Sequence, residues 1–379
     1  MPGTAIARAM TDIVPGARSL FLATSRQTER QCRHALEEFE VREIPAARWD
    51  GWFQKARFSI ASLAAAGRSL EILRSFRPNV VVGLGGYSCI VPVLVARAMA
   101  LPTMVLESNA VPGRVVRLLA PIVDCVQLQW REAADHLHAR RTLVTGNPVR
   151  PQIFHGIRET AVDRLGLESD RLTLVVMGGS QGALPINRAV TGALESLKAG
   201  TESDLSRLQI LHLTGPDHLA EAKHNACPDG LLYRPMGFAD GMEDVYAAAD
   251  LALGRAGGST LAEITAVGLP SLLVPYPHAS DDHQHANAGV LARAGAAQLI
   301  EQESLSPGRL ASLLKDLTRR PSWLSRMADR AARLGHPRAA WNVAAELADL
   351  AGLRVGPRDD ETADEGTDTD HTSALLKAA

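Results

Sequence analysis

Short apolar runs of β type alternate along this chain with longer stretches whose apolar positions recur at helical spacing. In the first half the strand-like runs are Ser19–Thr24 (SLFLAT), Val41–Pro45, Val80–Leu84, Thr103–Leu106, Val123–Gln127 and Thr142–Thr145. Helices are expected at Thr4–Thr11, Glu29–Phe39 and Trp52–Phe76, and again after Gly85-Gly86-Tyr87 as far as Met99. A polar connection, Gln152–Arg171, precedes a second set of runs. That set begins at Leu172 and continues with Leu208–Leu213, Leu231–Arg234, Leu251–Leu253, Ser271–Val274 and Ala297–Ile300. Strands alternating with helices at this spacing make parallel βαβ units, so the fold class is α/β. The pattern predicts two doubly wound, Rossmann-like domains facing a cleft at the C-terminal ends of their strands, where such sheets bind ligands. The expected division is residues 1–150, then 151–340, with a helix at 341–353 returning to the first domain. Residues 354–379 are acidic and too poor in apolar side chains to offset ordering entropy, and a disordered tail is expected there.

Composition narrows the function classes. At 379 residues the chain has room for two cores, and 46% hydrophobic with 22% charged residues is the balance of a globular protein. A net charge of −2 and only 4% aromatic residues give no support for a nucleic-acid partner. The four cysteines are far apart with no CxxC pair, which indicates neither a zinc site nor a disulfide framework. The start, MPGTAIARAM, lacks the cationic and apolar regions of a signal peptide. The longest apolar stretch, Cys89–Leu106, contains Pro92, Arg97 and Pro102 and reads as a helix followed by a strand. Any membrane contact is therefore expected to be peripheral.

Candidate chemistry centres on residues 174–188, LVVMGGSQGALPINR. A strand, a glycine turn and a helix in succession aim free backbone N–H groups and a helix dipole at an anion. Gly178, Gly179 and Gly182 let the backbone approach a phosphate, and Ser180 adds a hydroxyl donor. An ordinary βα turn explains the same residues equally well. A second such place is Gly257-Gly258-Ser259-Thr260, with Thr260 expected to open a helix and Glu263 to lie on its first turn.

Six strings then recur in a family's order: GLGGYSCIVPVLVA (83–96), LESNAVPGRVVRLLA (106–120), TGNPVR (145–150), VVMGGSQGALPIN (175–187), RAGGSTLAEITAVGLPSLLVPYP (255–277) and DDHQHANA (281–288). Together they resemble the MurG family, the UDP-N-acetylglucosamine transferases of peptidoglycan synthesis, over about residues 2–352. The resemblance implies a GT-B fold and transfer of GlcNAc from UDP-GlcNAc to the C4 hydroxyl of MurNAc in lipid I (undecaprenyl-pyrophosphoryl-MurNAc-pentapeptide). The product is the β-1,4-linked lipid II, formed with inversion, without a cofactor and without a required metal. It implies a donor site in which Ser180 and the amides of Gly258, Ser259 and Thr260 meet the diphosphate. Glu263 would hold the ribose diol, Gln284 the sugar, Arg150 the nucleotide, and Asn109 the sugar at the cleft. A capping-box Glu263 and an interdomain salt bridge at Arg150 are the plain structural alternatives. Glu107 is a weak catalytic candidate, because a histidine precedes the matching residue in many relatives and Leu106 stands here. Gly85-Gly86-Tyr87 is placed toward the acceptor pyrophosphate, with packing an equal reading for Tyr87. His283 and His285 are as consistent with exposed loop positions as with function.

The implied partners are UDP-GlcNAc, lipid I, the membrane surface and other cell-wall synthesis proteins; the implied location is the cytoplasmic face of the inner membrane. The stretch 52–77 carries Lys55, Arg57, Arg68, Arg74 and Arg77 beside Trp52, Phe53, Phe58 and Ile60, a composition that suits an anionic interface. The family opens with a strand and a GGTGGH loop, whose histidine is a candidate general base. Here Met1–Arg8 resembles the helix after that loop, so this 379-residue polypeptide is expected to be poorly active on its own. Two other readings stay open on residues alone: a weakly active or inactive UDP-sugar-binding homologue, and a GT-B transferase with another lipid acceptor.

Overall fold

The computed structural model describes residues 2–24, 36–45, 55–179, 182–198, 205–224, 227–319 and 321–353. Most of the expected helix Glu29–Phe39, the residues Trp52 and Phe53, the side chains of 55–60, Ser180 and the tail 354–379 lie outside the described residues.

The first half runs α1 (Pro2–Ile13), β1 (Leu20–Ala23), β2 (Glu40–Glu43), α2 (Lys55–Phe76), β3 (Val81–Gly83), α3 (Ile90–Ala98), β4 (Thr103–Glu107), α4 (Arg114–Leu119), β5 (Cys125–Leu128) and β6 (Thr142–Val144). The second half begins with α5 (Arg158–Leu165), β7 (Leu172–Met177), α6 (Leu184–Lys198), β8 (Leu208–Leu213), α7 (Leu219–Lys223), β9 (Leu232–Met236), α8 (Met242–Ala248) and β10 (Leu251–Gly254). It ends with α9 (Gly258–Ala266), β11 (Ser271–Leu273), α10 (His283–Ala294), β12 (Ala297–Leu299), α11 (Pro307–Arg319), α12 (Pro321–Leu334) and α13 (Ala339–Leu350).

β7 to β12 form one parallel sheet in the order β12-β11-β10-β7-β8-β9. The central strand β7 is apolar at nearly every position because both of its faces are covered. Alternate residues sort to opposite layers. Leu174 and Val176 pack with Ile186, Val190 and Leu194 of α6 and Leu310 and Leu314 of α11. Val175 and Met177 pack with Val245 of α8, Leu261 and Ile264 of α9 and Leu291 of α10. The stretch 152–171 is not the plain connection its polarity suggests. It contains α5, whose Ala161 and Val162 pack on Ala248 of α8, while Arg158 donates to the Ala248 carbonyl and to Asp250.

In the first half, β3-β4-β5-β6 form a parallel four-stranded sheet, and among the described residues β1 pairs with β2 alone. The run SLFLAT was expected to be a buried strand; of β1 only Ala23 is buried and the rest is half-exposed. Pairing on one side only is the physical reason among the described residues. The start of α1 touches both pieces of sheet: a Cβ on Gly3 would come 2.6 Å from Leu84 Cδ1 and 3.0 Å from Phe21 Cε1. The last helix, α13, lies on α1 through the small residues Ala5, Ala9, Ala340 and Ala344. Its Val343 and Leu347 complete a core with Ile6, Met104, Leu106 and Cys125. Ala110 and Trp130 share the core of Val149, Ile153 and Val245, so the two halves are joined by packed apolar contacts.

Candidate functional site

The order of the six-stranded sheet reverses between β7 and β10, and a crevice opens there at the C-terminal strand ends. It is a cleft of about 840 Å³, lined by Gly178, Gly179 and Gly182 after β7 and by Gly257, Thr260 and Glu263 after β10. Arg150 and Gln284 also line it, as do the more apolar Leu213, Phe238 and Met242.

The turn after β7 is built on glycine for a steric reason. Gly182 has φ +75°, and a Cβ there would overlap the carbonyl oxygen of Thr214 at the end of β8. That carbonyl is fixed from the other side, because Asn187 on the first turn of α6 donates Nδ2 to it at 2.8 Å. Asn187 Oδ1 is 3.0 Å from His212 Nε2, and His212 Nδ1 is 2.9 Å from the Tyr233 hydroxyl. Since Asn187 presents an oxygen to Nε2, that nitrogen carries the proton and Nδ1 accepts from Tyr233. Burial lowers the His212 pKa to about 4.

The helix after β10 starts two residues earlier than its sequence suggested. Gly257 is the N-cap and Gly258 the first residue, so Thr260 sits inside the first turn and Glu263 beyond it. No side chain caps this end, and the alternative of a Thr260–Glu263 capping box is absent. The amides of residues 258–260 are therefore left for a ligand. Gly258 is glycine because Ser108 of the first half presses on it; a Cβ would meet the Ser108 carbonyl and hydroxyl oxygens. Ser259 beside it is exposed.

Glu263 accepts a 2.8 Å hydrogen bond at Oε2 from the buried Tyr246 hydroxyl, while Arg150 Nη2 stands 3.8 Å from Oε1. The buried Nε of Arg150 has no partner among the described residues. Gln284 accepts from the Tyr276 N–H through Oε1 at 3.0 Å, which leaves its Nε2 to donate. Arg255 holds the Tyr276 segment in place by donating to the Val274 and Pro275 carbonyls and to Gln302. Neither neighbour of Gln284 turns inward: His283 bonds the Ser280 carbonyl and His285 bonds Glu301, and both are exposed to different degrees outside the cleft.

Across the cleft, Glu107 is buried at the end of β4. One oxygen accepts from the Asn109 amide N–H and side chain, the other from Gly113 N–H at the start of α4. Burial raises its pKa against the pull of those donors. Both oxygens are thus engaged in folding the 107–113 loop, which describes a clamp better than a proton acceptor. Asn109 in turn accepts from Asn287 of α10, and Asn287 accepts from Ala110 N–H and donates to the Ala256 carbonyl. Asn287, fully buried, joins the two halves. It lies three residues after Gln284 on the same helix, a spacing that places it on the same face. Tyr246, Arg255 and Asn287 are the residues that sequence reasoning left out. Gly85 and Gly86 both take positive φ, and Tyr87 after them is 56% exposed, so it is not packed.

A smaller cavity of about 420 Å³ lies by Arg158, Arg171 and Asp250, near the opposite ends of the strands; Arg158 pairs with Asp250 and Arg171 with Glu168. Among the described residues no group of three or more metal-ligating side chains converges, and no helix is long and apolar enough to cross a membrane.

Residues 1–128 match the glycosyltransferase family 28 N-terminal domain and residues 173–343 its C-terminal domain. The Moorella thermoacetica UDP-N-acetylglucosamine--N-acetylmuramyl-(pentapeptide) pyrophosphoryl-undecaprenol N-acetylglucosamine transferase is 39% identical over 349 residues, covering 89% of this chain and 91% of that protein. The enzyme of the same description from Desulforamulus reducens is 34% identical over 353 residues, covering 90% and 93%. The crystal structure of Acinetobacter baumannii MurG superposes with a TM-score of 0.71 at 25% identity, over 92% of this chain and 95% of that one. The S. aureus MnaA-UDP co-structure shares the fold, with a TM-score of 0.59 at 14% identity over 88% and 97%.

Proposed function

The chain belongs to glycosyltransferase family 28, and on that premise we propose how its cleft serves the family's reaction. It is a UDP-GlcNAc-dependent hexosyltransferase of GT-B fold that transfers GlcNAc to lipid I, giving lipid II for peptidoglycan synthesis. In this reading UDP-GlcNAc lies at the switch point of the second sheet. The observation that carries it is the pairing of two anion-directed turns, after β7 and after β10, with Glu263, Arg150 and Gln284 in one cleft.

The acceptor hydroxyl attacks C1 of the sugar while the bond from C1 to the β-phosphate oxygen breaks. UDP leaves, and the hydroxyl proton passes to a general base. Negative charge grows on the β-phosphate, where the amides of residues 258–260, Gly178 and Gly179, and the α9 dipole would receive it, with Ser180 the hydroxyl donor expected from the sequence. Arg150 adds a fixed positive charge whose Nε has no partner among the described residues. Glu263 accepts from the ribose diol, and Leu213, Phe238 and Met242 leave an apolar end for the uracil. Gln284 donates Nε2 to a sugar oxygen. Asn109, tied to Asn287, borders the sugar from the first half. A lipid acceptor has to be met at a bilayer surface, which supports a peripheral position on the cytoplasmic face of the membrane, with the basic stretch 55–77 as one contact.

Labelled transfer with lipid I and with diacylglycerol as alternative acceptors tests the reading. Label is expected in lipid II only; label in the glycerolipid would sink it.

A further inference from the structure

We infer that Tyr246 is a positioning residue for the donor's ribose: its hydroxyl holds the Glu263 carboxylate in the orientation that reads the diol, and apart from Arg150. The inference rests on the placement of UDP proposed above.

The geometry around Glu263 is a contest between two donors. Arg150 Nη2 lies 3.8 Å from Oε1, beyond a hydrogen bond, while the Tyr246 hydroxyl lies 2.8 Å from Oε2. A carboxylate and a guanidinium this close, in a site from which a ligand excludes water, collapse into a bidentate pair unless something holds them. Collapse would remove two ligand groups at once, the acceptor for the ribose and the donor for the nucleotide. The tyrosine prevents this because it cannot move. Its ring is 5% exposed and packed in the core that contains Val245 and Ile264, on the two helices that carry Tyr246 and Glu263. Burial and the neighbouring carboxylate raise the pKa of the phenol well above its ordinary value, so it remains a proton donor throughout the working pH range. Holding Glu263 by one oxygen leaves the other, with its lone pairs, to the ligand.

Removing only the hydroxyl, by Tyr246→Phe, keeps the packing. Calorimetric binding of UDP and of 2′-deoxy-UDP is compared in the wild type, in Tyr246→Phe and in Glu263→Gln. A partly unfolded sample lowers the stoichiometry and leaves the Kd of the folded fraction readable. The wild type is expected to prefer UDP over 2′-deoxy-UDP by about tenfold, a typical value for one charge-assisted hydrogen bond. Tyr246→Phe is expected to lose most of that preference, with the affinity for 2′-deoxy-UDP nearly unchanged. If Glu263→Gln abolishes the preference and Tyr246→Phe retains it, the role of Tyr246 is overturned while the ribose site stands. If Glu263→Gln also retains it, the placement of the ribose on Glu263 fails.

Discussion

Single atoms decide much of this site. Gln284 lines the cleft with one polar atom committed: Oε1 accepts from the Tyr276 N–H, which leaves Nε2 to donate. Gln284→Glu keeps the acceptor and removes the donor. It is expected to weaken UDP-GlcNAc binding by about tenfold while changing UDP binding little, as one lost hydrogen bond to a sugar oxygen would do. Competition titration of the two ligands checks this, and equal losses for both would assign Gln284 to the nucleotide. Arg150, Thr260, Glu263 and Gln284, which line one cleft, could be singled out in the sequence because each stands beside a glycine turn or within an ordered motif. Tyr246 was not legible, because nothing in MEDVYAA marks a tyrosine whose partner is on the next helix. Asn287 carries a signal that the sequence reading passed over, its i+3 spacing from Gln284 on one helix. The structure also shows what occupies Glu107: its oxygens fold the 107–113 loop, in which Asn109 accepts from Asn287.

Elements with a clear period were read from sequence to within a residue or two; those held by polar contacts were not. The helix α5, RETAVDRL, offers few apolar positions and is fixed by Arg158 reaching Asp250 and Ala248. The start of α9 was misplaced because a glycine N-cap has no side chain to announce it. The glycine turn after β7 owes its shape to a neighbouring strand, through the Tyr233–His212–Asn187 chain that fixes the Thr214 carbonyl. This chain has a pH signature. The folded His212 titrates at about 4, below its unfolded value near 6.5, so the neutral form is the one that folding favours. Its contribution is present above about pH 6.5 and is lost as pH falls toward 4, at most about 3 kcal/mol. Denaturant unfolding across that range is expected to show the loss, and His212→Gln should flatten it. An unchanged slope in the variant would remove His212 from the account.

At the scale of the molecule, the two halves divide the work unequally. The second half has a continuous six-stranded sheet with its crevice where the strand order reverses, the place that α/β topology reserves for ligands. The first half has its strands in two pieces, and α1 and α13 cover them together. The halves meet through Asn287 with Asn109 and Ala110, through Arg114 and Arg117 with Asp281, and through Ser108 seated on Gly258. The alternation of strands and helices announced two doubly wound units. Which residues from distant motifs touch across them depends on side chains that no periodicity encodes. The central claim is that one pocket at the switch point holds the donor, and calorimetric titration of UDP-GlcNAc into the wild type and Gly182→Val tests it most directly. The account predicts one donor bound per chain, displaced by UDP, with affinity reduced at least about tenfold when valine is forced against the Thr214 carbonyl at a positive φ. Failure of the wild type to bind UDP-GlcNAc, or undiminished binding by Gly182→Val, would contradict it.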